Sequence, residues 1–532
     1  MSGRHARVGA WRRGVPLALV AGLLALAGVA NATLRVPAPP PAPVVSPPDA
    51  ALSPSPAVDS VAWYCPGPLE IGAGAPAAGV VLSNVGPRPR HGVLIVDSTS
   101  GPVEQVAVAV APGSTRTFTL PESGARRLAA ATVVVDGGGV GVAQVTAANP
   151  RTAGRAPLST PCRDRTAAAA YLAAGGSHNA DHVLLALYDP SATPAVANVT
   201  LATSSGPAAP PSFQGVAVGA GQLVVLDVSR AVPGRPMVAT AVHATGGRLV
   251  VGALLSAARG HGVQSALVVA SPTLQRSWDF APVPSGPGTA EAIAVFNPGN
   301  RPASVELTTS GSGGPAQVSA TVPAGGVSAL ATGSVKAIGA VRAARLSVRR
   351  GPAVAALREL VLEQPLPAER AAERVKTVTT LRVHGRLVRR IGVAVHIVAG
   401  GSAAPRLLPA LPPGFSVSAG VSRPATAFLL PYGRADATTG EVIALWNPAA
   451  APAEVRLRLL SPGTPVALRL PAPLSVPAGG VLSLALDGLV TPPGPVALVV
   501  SASTPVVAGA LLDALGTKAV GLSSAGALSL GG

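Results

Sequence analysis

The sequence predicts an all-β protein: tandem immunoglobulin-like β-sandwich repeats behind an N-terminal transmembrane helix and a Pro-rich linker. Three observations predict it. Gly (61) and Pro (56) make up more than a fifth of the 532 residues, against ~12% in ordinary globular chains. Both residues break helices and punctuate strands. A long internal repeat follows the plan strand, Asx turn, strand. The first 34 residues read as a basic tail and an apolar run.

Residues 1–14 carry Arg4, Arg7, Arg12 and Arg13 and no acid, and are expected as a cytoplasmic basic tail. Residues 15–34, VPLALVAGLLALAGVANATL, carry no charge. About 20 apolar residues span ~30 Å of hydrocarbon as a helix, and the flanking arginines stay inside. The run reads as a transmembrane signal anchor. Ala30-Asn31-Ala32 also fits a signal-peptidase site, so a cleaved signal peptide is the competing reading. Residues 35–59 are a Pro-rich linker, expected as an extended spacer. Either way the bulk of the chain is extracytoplasmic.

The repeat is legible in GEVIALWNPAAAPAEVRL (440–457) and AEAIAVFNPGNRPASVEL (290–307), which align without a gap. HVLLALYDPSATPAVANVTL (182–201) follows the same plan, and GVVLSNVGPRPRHGVLI (79–95) is a degenerate copy. The Asx positions are Asn84, Asp189, Asn297 and Asn447; Pro89, Pro194, Pro302 and Pro452 follow five residues on. Asx bonds its own backbone two residues on, and Pro pre-sets φ, so each marks a tight turn. A second turn signature follows at Gly113, Gly221, Gly325 and Gly479, within VAPGSTRTF, VGAGQLVVL, VPAGGVSAL and VPAGGVLSL. The copies lie 105, 108 and 150 residues apart. About 100 residues with seven or so strands is the size of an immunoglobulin-like sandwich, and too long for a solenoid or propeller period. The expected repeats are 60–165, 166–272, 273–358 and 421–532, with a charged insertion at 359–420. Within the insertion, PAERAAERVKTV suggests a short helix from Pro367. LRVHGRLVRRIGVAVHIV (381–398) reads as strand and as a patch for an anionic partner.

The net charge is +17, nearly all from Arg. It points to an anionic membrane or wall polymer as partner, or to compositional bias alone. No Arg cluster is interleaved with aromatics, so nucleic acid is not expected as a partner. The chain shows no G-x-S-x-G, H-E-x-x-H, Walker lysine or S-x-x-K pattern. His178, Asp181 and His182 form the one polar cluster with ligand-like spacing; the segment follows Gly175-Gly176 and precedes a strand, so a polar loop is the better reading than a metal site. No metal and no cofactor are expected, and no catalytic residue is assigned.

The two cysteines are Cys65, in SVAWYCPGPLE, and Cys162. Outside the membrane two cysteines most simply pair. A bond between them closes a loop of roughly 98 residues, worth about 4–5 kcal/mol in the chain-entropy model.

The anchor, the spacer, Trp63-Tyr64-Cys65-Pro66, and Thr160-Pro161-Cys162 followed by TAAAAYLAAGGS resemble an uncharacterised actinobacterial secreted family, the domain of unknown function numbered 5719. Tyr171 and Ala174-Gly175-Gly176 fit its aromatic and small-Gly-Gly turn. FQGVAV (213–218) and GVSRPATAFLLPYG (420–433) resemble its later blocks. Tryptophan-rich block starts of the family are here Leu172 and Leu429-Leu430. The resemblance spans most of 60–520 and implies location and lineage, not a reaction. The expected protein is a single-pass, membrane-anchored, non-catalytic binding or scaffolding protein of the cell envelope. Its expected partner is an anionic wall polymer or a glycan-assembly protein. The alternative is a cell-surface hydrolase or transferase with an unrecognised site around His178, Asp181 and His182.

Overall fold

The computed structural model describes residues 60–146, 156–259, 262–311, 315–333, 340–365, 411–463, 467–468, 470, 474–486, 489–515 and 521–530, and the backbone of 375–383 and 386–394. All belong to one unit, Pro48–Gly532. The segments expected as anchor (15–34) and linker (35–59) lie outside the described residues. Among the described residues no helix is long and apolar enough to cross a membrane. Helix there amounts to Val228–Ala231 and a 3-10 turn at Pro211–Phe213. Most of the rest is antiparallel sheet joined by turns, as the Gly and Pro content predicts.

Repeat 1 has eight strands: Ser60–Ile71, Ala78–Asn84, Arg90–Ser98, Gly101–Val110, Thr115–Thr119, Arg127–Asp136, Val140–Thr146 and Leu158–Pro161. They pair in the order first-sixth-third-fourth in one sheet and fifth-second-seventh-eighth in the other. Repeat 2 uses the same order with Ala169–Leu172, His182–Asp189, Ala195–Thr203, a split fourth strand (Gly206–Ala208 and Val216–Val218), Gln222–Asp227, Val238–Gly246, Val250–Arg259 and Gly262–Val269. Repeat 3 uses it with Ser277–Ser285, Thr289–Asn297, Ala303–Gly311, Ala316–Val322, Gly326–Ala331, Ala340–Arg350, Ala355–Leu362 and Gly414–Ala419. In repeat 4 the strands are Ala425–Ala435, Thr439–Trp446, Ala453–Leu460, Leu474–Val476, Val481–Ala485 and Leu522–Ala525, with the sixth and seventh fused as Gly494–Ala514.

This order departs from an immunoglobulin sandwich at its edges. There the first strand joins the second and the last joins the sixth. Here the first joins the sixth, and the seventh joins the second. The fused strand of repeat 4 shows the physical reason. A strand running straight on from the sixth cannot fold back onto it, so it crosses to the other sheet, as strands do at sandwich corners.

The sequence expectation for the insertion is corrected in extent. Residue 359 lies inside the seventh strand of repeat 3, and Gly414–Ala419 pairs with that strand (Leu362↔Gly414 to Leu357↔Ala419). The unmatched part is therefore 363–413, placed between the seventh and eighth strands. Val375–Val383 and Arg386–Ala394 pair as a hairpin within it. The helix expected from Pro367 gives way to strand from Val375; residues 366–374 lie outside the described residues.

The four repeats close on one another. The first-sixth-third-fourth sheet of each packs its outer face on the fifth-second-seventh-eighth sheet of the next. Ala130 of repeat 1 meets Ala186, Tyr188 and Leu223 of repeat 2. Phe296, Ala294 and Leu357 of repeat 3 join the core of repeat 2. Ala343 of repeat 3 meets Trp446 and Val507 of repeat 4. Val81, Ala143 and Val145 of repeat 1 join the core of repeat 4, while Leu429, Leu460 and Val499 of repeat 4 join that of repeat 1. The fourth junction thus returns to the first repeat. Strands covered on both faces read as mainly apolar runs; Ala78–Asn84 and Thr439–Trp446 are buried at every residue, the polar Ser83, Asn84, Thr439 and Glu441 included.

Candidate functional site

Both sequence signatures of the repeat meet in one knot. Asn297 is fully buried. Its Oδ1 accepts from Gly299 N (3.0 Å), and its Nδ2 donates to the carbonyls of Arg301 (2.8 Å), Val322 (3.2 Å) and Pro323 (3.0 Å). Asn447 does the same with Ala449 N, Ala451 O, Val476 O and Pro477 O, and Asn84 with Gly86 N, Arg88 O, Val110 O and Ala111 O. The amide ties the turn after the second strand to the turn before the fifth. At that second turn Gly113, Gly221, Gly325 and Gly479 have φ of 61°, 60°, 60° and 64°, the left-handed region that glycine enters without a Cβ penalty. Asp189 keeps the bond from Ser191 N (2.9 Å), but its Oδ2 is buried without a hydrogen-bond partner.

The residue before each Asx plugs a junction between repeats. Tyr188 Oη donates to Asp97 Oδ2 of repeat 1 (2.6 Å) and stands 2.7 Å from Thr132 Oγ1. Burial, opposed by this hydrogen bond, raises the Asp97 carboxyl above its ordinary range; burial and the Asp97 charge raise the Tyr188 phenol. The Trp446 ring lies under Arg345 of repeat 3 (Cζ to centroid 5.1 Å), whose guanidinium is held by Asp279 at 2.6 and 2.9 Å. Ser83 Oγ donates to Pro431 O of repeat 4 (3.0 Å).

Cys65 and Cys162 form a disulfide, fully buried in the core of repeat 1. It joins the first strand to the residue after the eighth, beside the bridge Tyr64↔Arg163. The corresponding bridges are Tyr171↔Ser271 and Asp279↔Val421; in repeat 4 Phe428 pairs with Ser529 and Leu429 with Leu528. The clasp position is thus Leu172 and Ala270 in repeat 2, Phe280 and Gly420 in repeat 3, and Leu429 and Leu528 in repeat 4. Gly420 leaves room for the ring: a Cβ there would stand 3.0 Å from Phe280 Cε1. Apolar pairs fill elsewhere what the covalent bond fills in repeat 1.

The stretches around the four eighth strands converge on one cavity of about 110 Å³, lined by 159–163, 267–271, 417–421 and 524–528. Its walls are mainly small and apolar, and Ser416 bonds Ser524 beside it. The ionisable residues that line it, among the described residues, are Arg163, Tyr171 and Asp279.

His178, Asp181 and His182 do not converge. His178 and His182 are exposed. Asp181 Oδ1 accepts from Ala258 N (3.2 Å), and His182 Nε2 lies 3.7 Å from Asp227 Oδ2. Among the described residues no group of three His, Cys, Asp or Glu is placed to hold a metal. The side chains of the basic run 381–398 lie outside the described residues. Sequence reasoning missed a second cationic locus, formed around the degenerate turn at 85–92.

These features define a β-sandwich repeat protein, stapled by one disulfide and closed by packing between its first and last repeats. Residues 121–372 match the model of a family of unknown function, DUF5719, the family that the sequence resembles. The match runs from the end of the fifth strand of repeat 1 to beyond the seventh strand of repeat 3. Searches of the curated proteins and of the solved structures found no match.

Proposed function

We propose that this is a membrane-anchored, extracytoplasmic, non-catalytic protein that binds or scaffolds components of the cell envelope. Residues 15–34 serve as the anchor and the Pro-rich linker as the spacer. The repeats act as immunoglobulin-like modules with exchanged edge strands. The observation that carries the reading is the buried Cys65–Cys162 disulfide, because such bonds persist in oxidising compartments. The dispersal of His178, Asp181 and His182 supports a binding role over a hydrolase or transferase. The partner is an anionic wall polymer.

Protease shaving of intact cells tests the placement. Fragments from residues beyond 60 should be released while a cytosolic marker stays whole. Protection of those residues until the membrane is broken would sink the proposal.

A further inference from the structure

The turn VGPRPRHG (85–92) reads in sequence as the degenerate copy of the Asx turn. The equivalent turns PSATPA (190–195), PGNRPA (298–303) and PAAAPA (448–453) contain one cation between them, Arg301. The first copy contains Arg88, Arg90 and His91. Repeat 4 adds another across the junction that returns to repeat 1. Arg458 Nη2 stands 3.5 Å from Val85 O, and its Nη1 lies 3.7 Å from where a Cβ on Gly113 would sit. Arg90 lies flat on Gly137, where a Cβ would come within 2.3 Å of its Nη1. Arg116 Nη1 donates to Ala109 O (3.3 Å), and its Cζ sits 4.9 Å over the Phe118 ring. Asp136, whose Oδ1 accepts from His91 N at 2.7 Å, is the acid beside the turn. None of Arg88, Arg90, Arg116 and Arg458 makes an ion pair among the described residues. Arg116 and Arg458 are exposed and each uses one of its five N–H donors on a backbone carbonyl, while Arg90 packs on Gly137 with its Nε buried. Groups held this way lose less freedom when a ligand arrives.

We propose that this cluster, Arg88, Arg90, Arg116 and Arg458, is a binding surface for an acidic polysaccharide, with the guanidinium forks taking carboxylates along the polymer. The proposal rests on the envelope-binding reading and gives it a site. Guanidinium matches carboxylate geometry in two-point contacts. A lipid surface needs several apolar anchors beside the cations; of the large apolar side chains exposed among the described residues, Val134, Val196 and Val263, the one placed beside this turn is Val134, paired with Val93. A single-stranded nucleic acid needs aromatic platforms, and the ring here, Phe118, is buried under Arg116.

The test compares the full chain, disulfide intact, with two triple variants of equal charge. One is Arg88→Gln, Arg116→Gln, Arg458→Gln; the other is Arg230→Gln, Arg301→Gln, Arg350→Gln. The probe is polygalacturonate, with dextran, phosphatidylglycerol vesicles and single-stranded DNA as comparisons. The wild type should bind polygalacturonate and weaken with salt. The first triple should lose roughly tenfold or more in affinity and the second less than about threefold. Equal losses in both triples would overturn the site, as would binding to vesicles or DNA without polygalacturonate. Sedimentation with isolated cell walls separates this from the broader reading. A first triple that still sediments like wild type sinks the site and leaves the envelope role. A wild type that binds polygalacturonate through these arginines yet ignores walls supports the site and sinks the envelope role.

Discussion

Asp189 stands where three other repeats have Asn, and the difference is chemical. A carboxylate accepts but cannot donate, so the carbonyls that Asn297 and Asn447 satisfy have no amide opposite them in repeat 2. Asp189→Asn should stabilise the protein by about 1–3 kcal/mol, the usual cost of a buried unsatisfied group. Asn297→Asp should destabilise it by a similar amount; urea unfolding of both variants checks the pair of signs. At Asp97 the effect depends on pH. Its carboxyl is raised above the ordinary value of 3.8, chiefly by burial. The folded state then keeps its proton where the unfolded chain has lost it. Stability is therefore highest below that range and falls as pH rises through it. Asp97→Asn keeps an acceptor for Tyr188 Oη and removes the titration. Its Tm advantage over wild type should grow as pH rises above the ordinary carboxylate range, and a constant difference would mean that Asp97 carries no such penalty.

At the scale of the element, the turns were legible in the sequence and the pairing was not. Asx, Pro and Gly state local geometry, so Asn84, Asp189, Asn297, Asn447 and the four left-handed glycines fall where their spacing puts them. Which strand lies beside which depends on contacts far apart in the chain. Nothing in Ser60–Ile71 says that it pairs with Arg127–Asp136 rather than with its neighbour. Gly414–Ala419 was hidden for a related reason: about fifty residues, including the charged run after Pro367, separate it from the strand it completes. The basic surface was also obscured, because VGPRPRHG departs from the repeat pattern and Arg458 comes from another repeat. The placement of the insertion carries a prediction. Its roots are joined by the pairing Leu362↔Gly414, and Leu411 is buried with Leu360 and Leu522. Replacing residues 366–410 by a short Gly-Ser turn should leave the β-sheet circular dichroism unchanged and move Tm by only a few degrees. Loss of the cooperative transition would mean that the insertion is part of the core.

At the scale of the whole molecule, the fourth junction separates this protein from a string of independent modules. Leu429 and Leu528 press on Gly141, where a Cβ would come within 2.3 Å of Leu429 Cδ2, and Val81, Ala143 and Val145 sit in the core of repeat 4. A chain ending at Val421 would expose these residues of repeat 1. It should aggregate or unfold at lower temperature, whereas independent modules would melt unchanged. Repeat 1 also carries the disulfide, and Cys65→Ala with Cys162→Ala should cost about 4–5 kcal/mol by the loop-entropy estimate. The proposed placement outside the membrane depends on that bond, so the redox state of the two thiols in living cells tests it most directly. Alkylating intact cells and then digesting the protein without reduction should give one peptide pair linked through Cys65 and Cys162, with neither thiol alkylated. Recovery of both cysteines as alkylated free thiols would contradict the extracytoplasmic assignment.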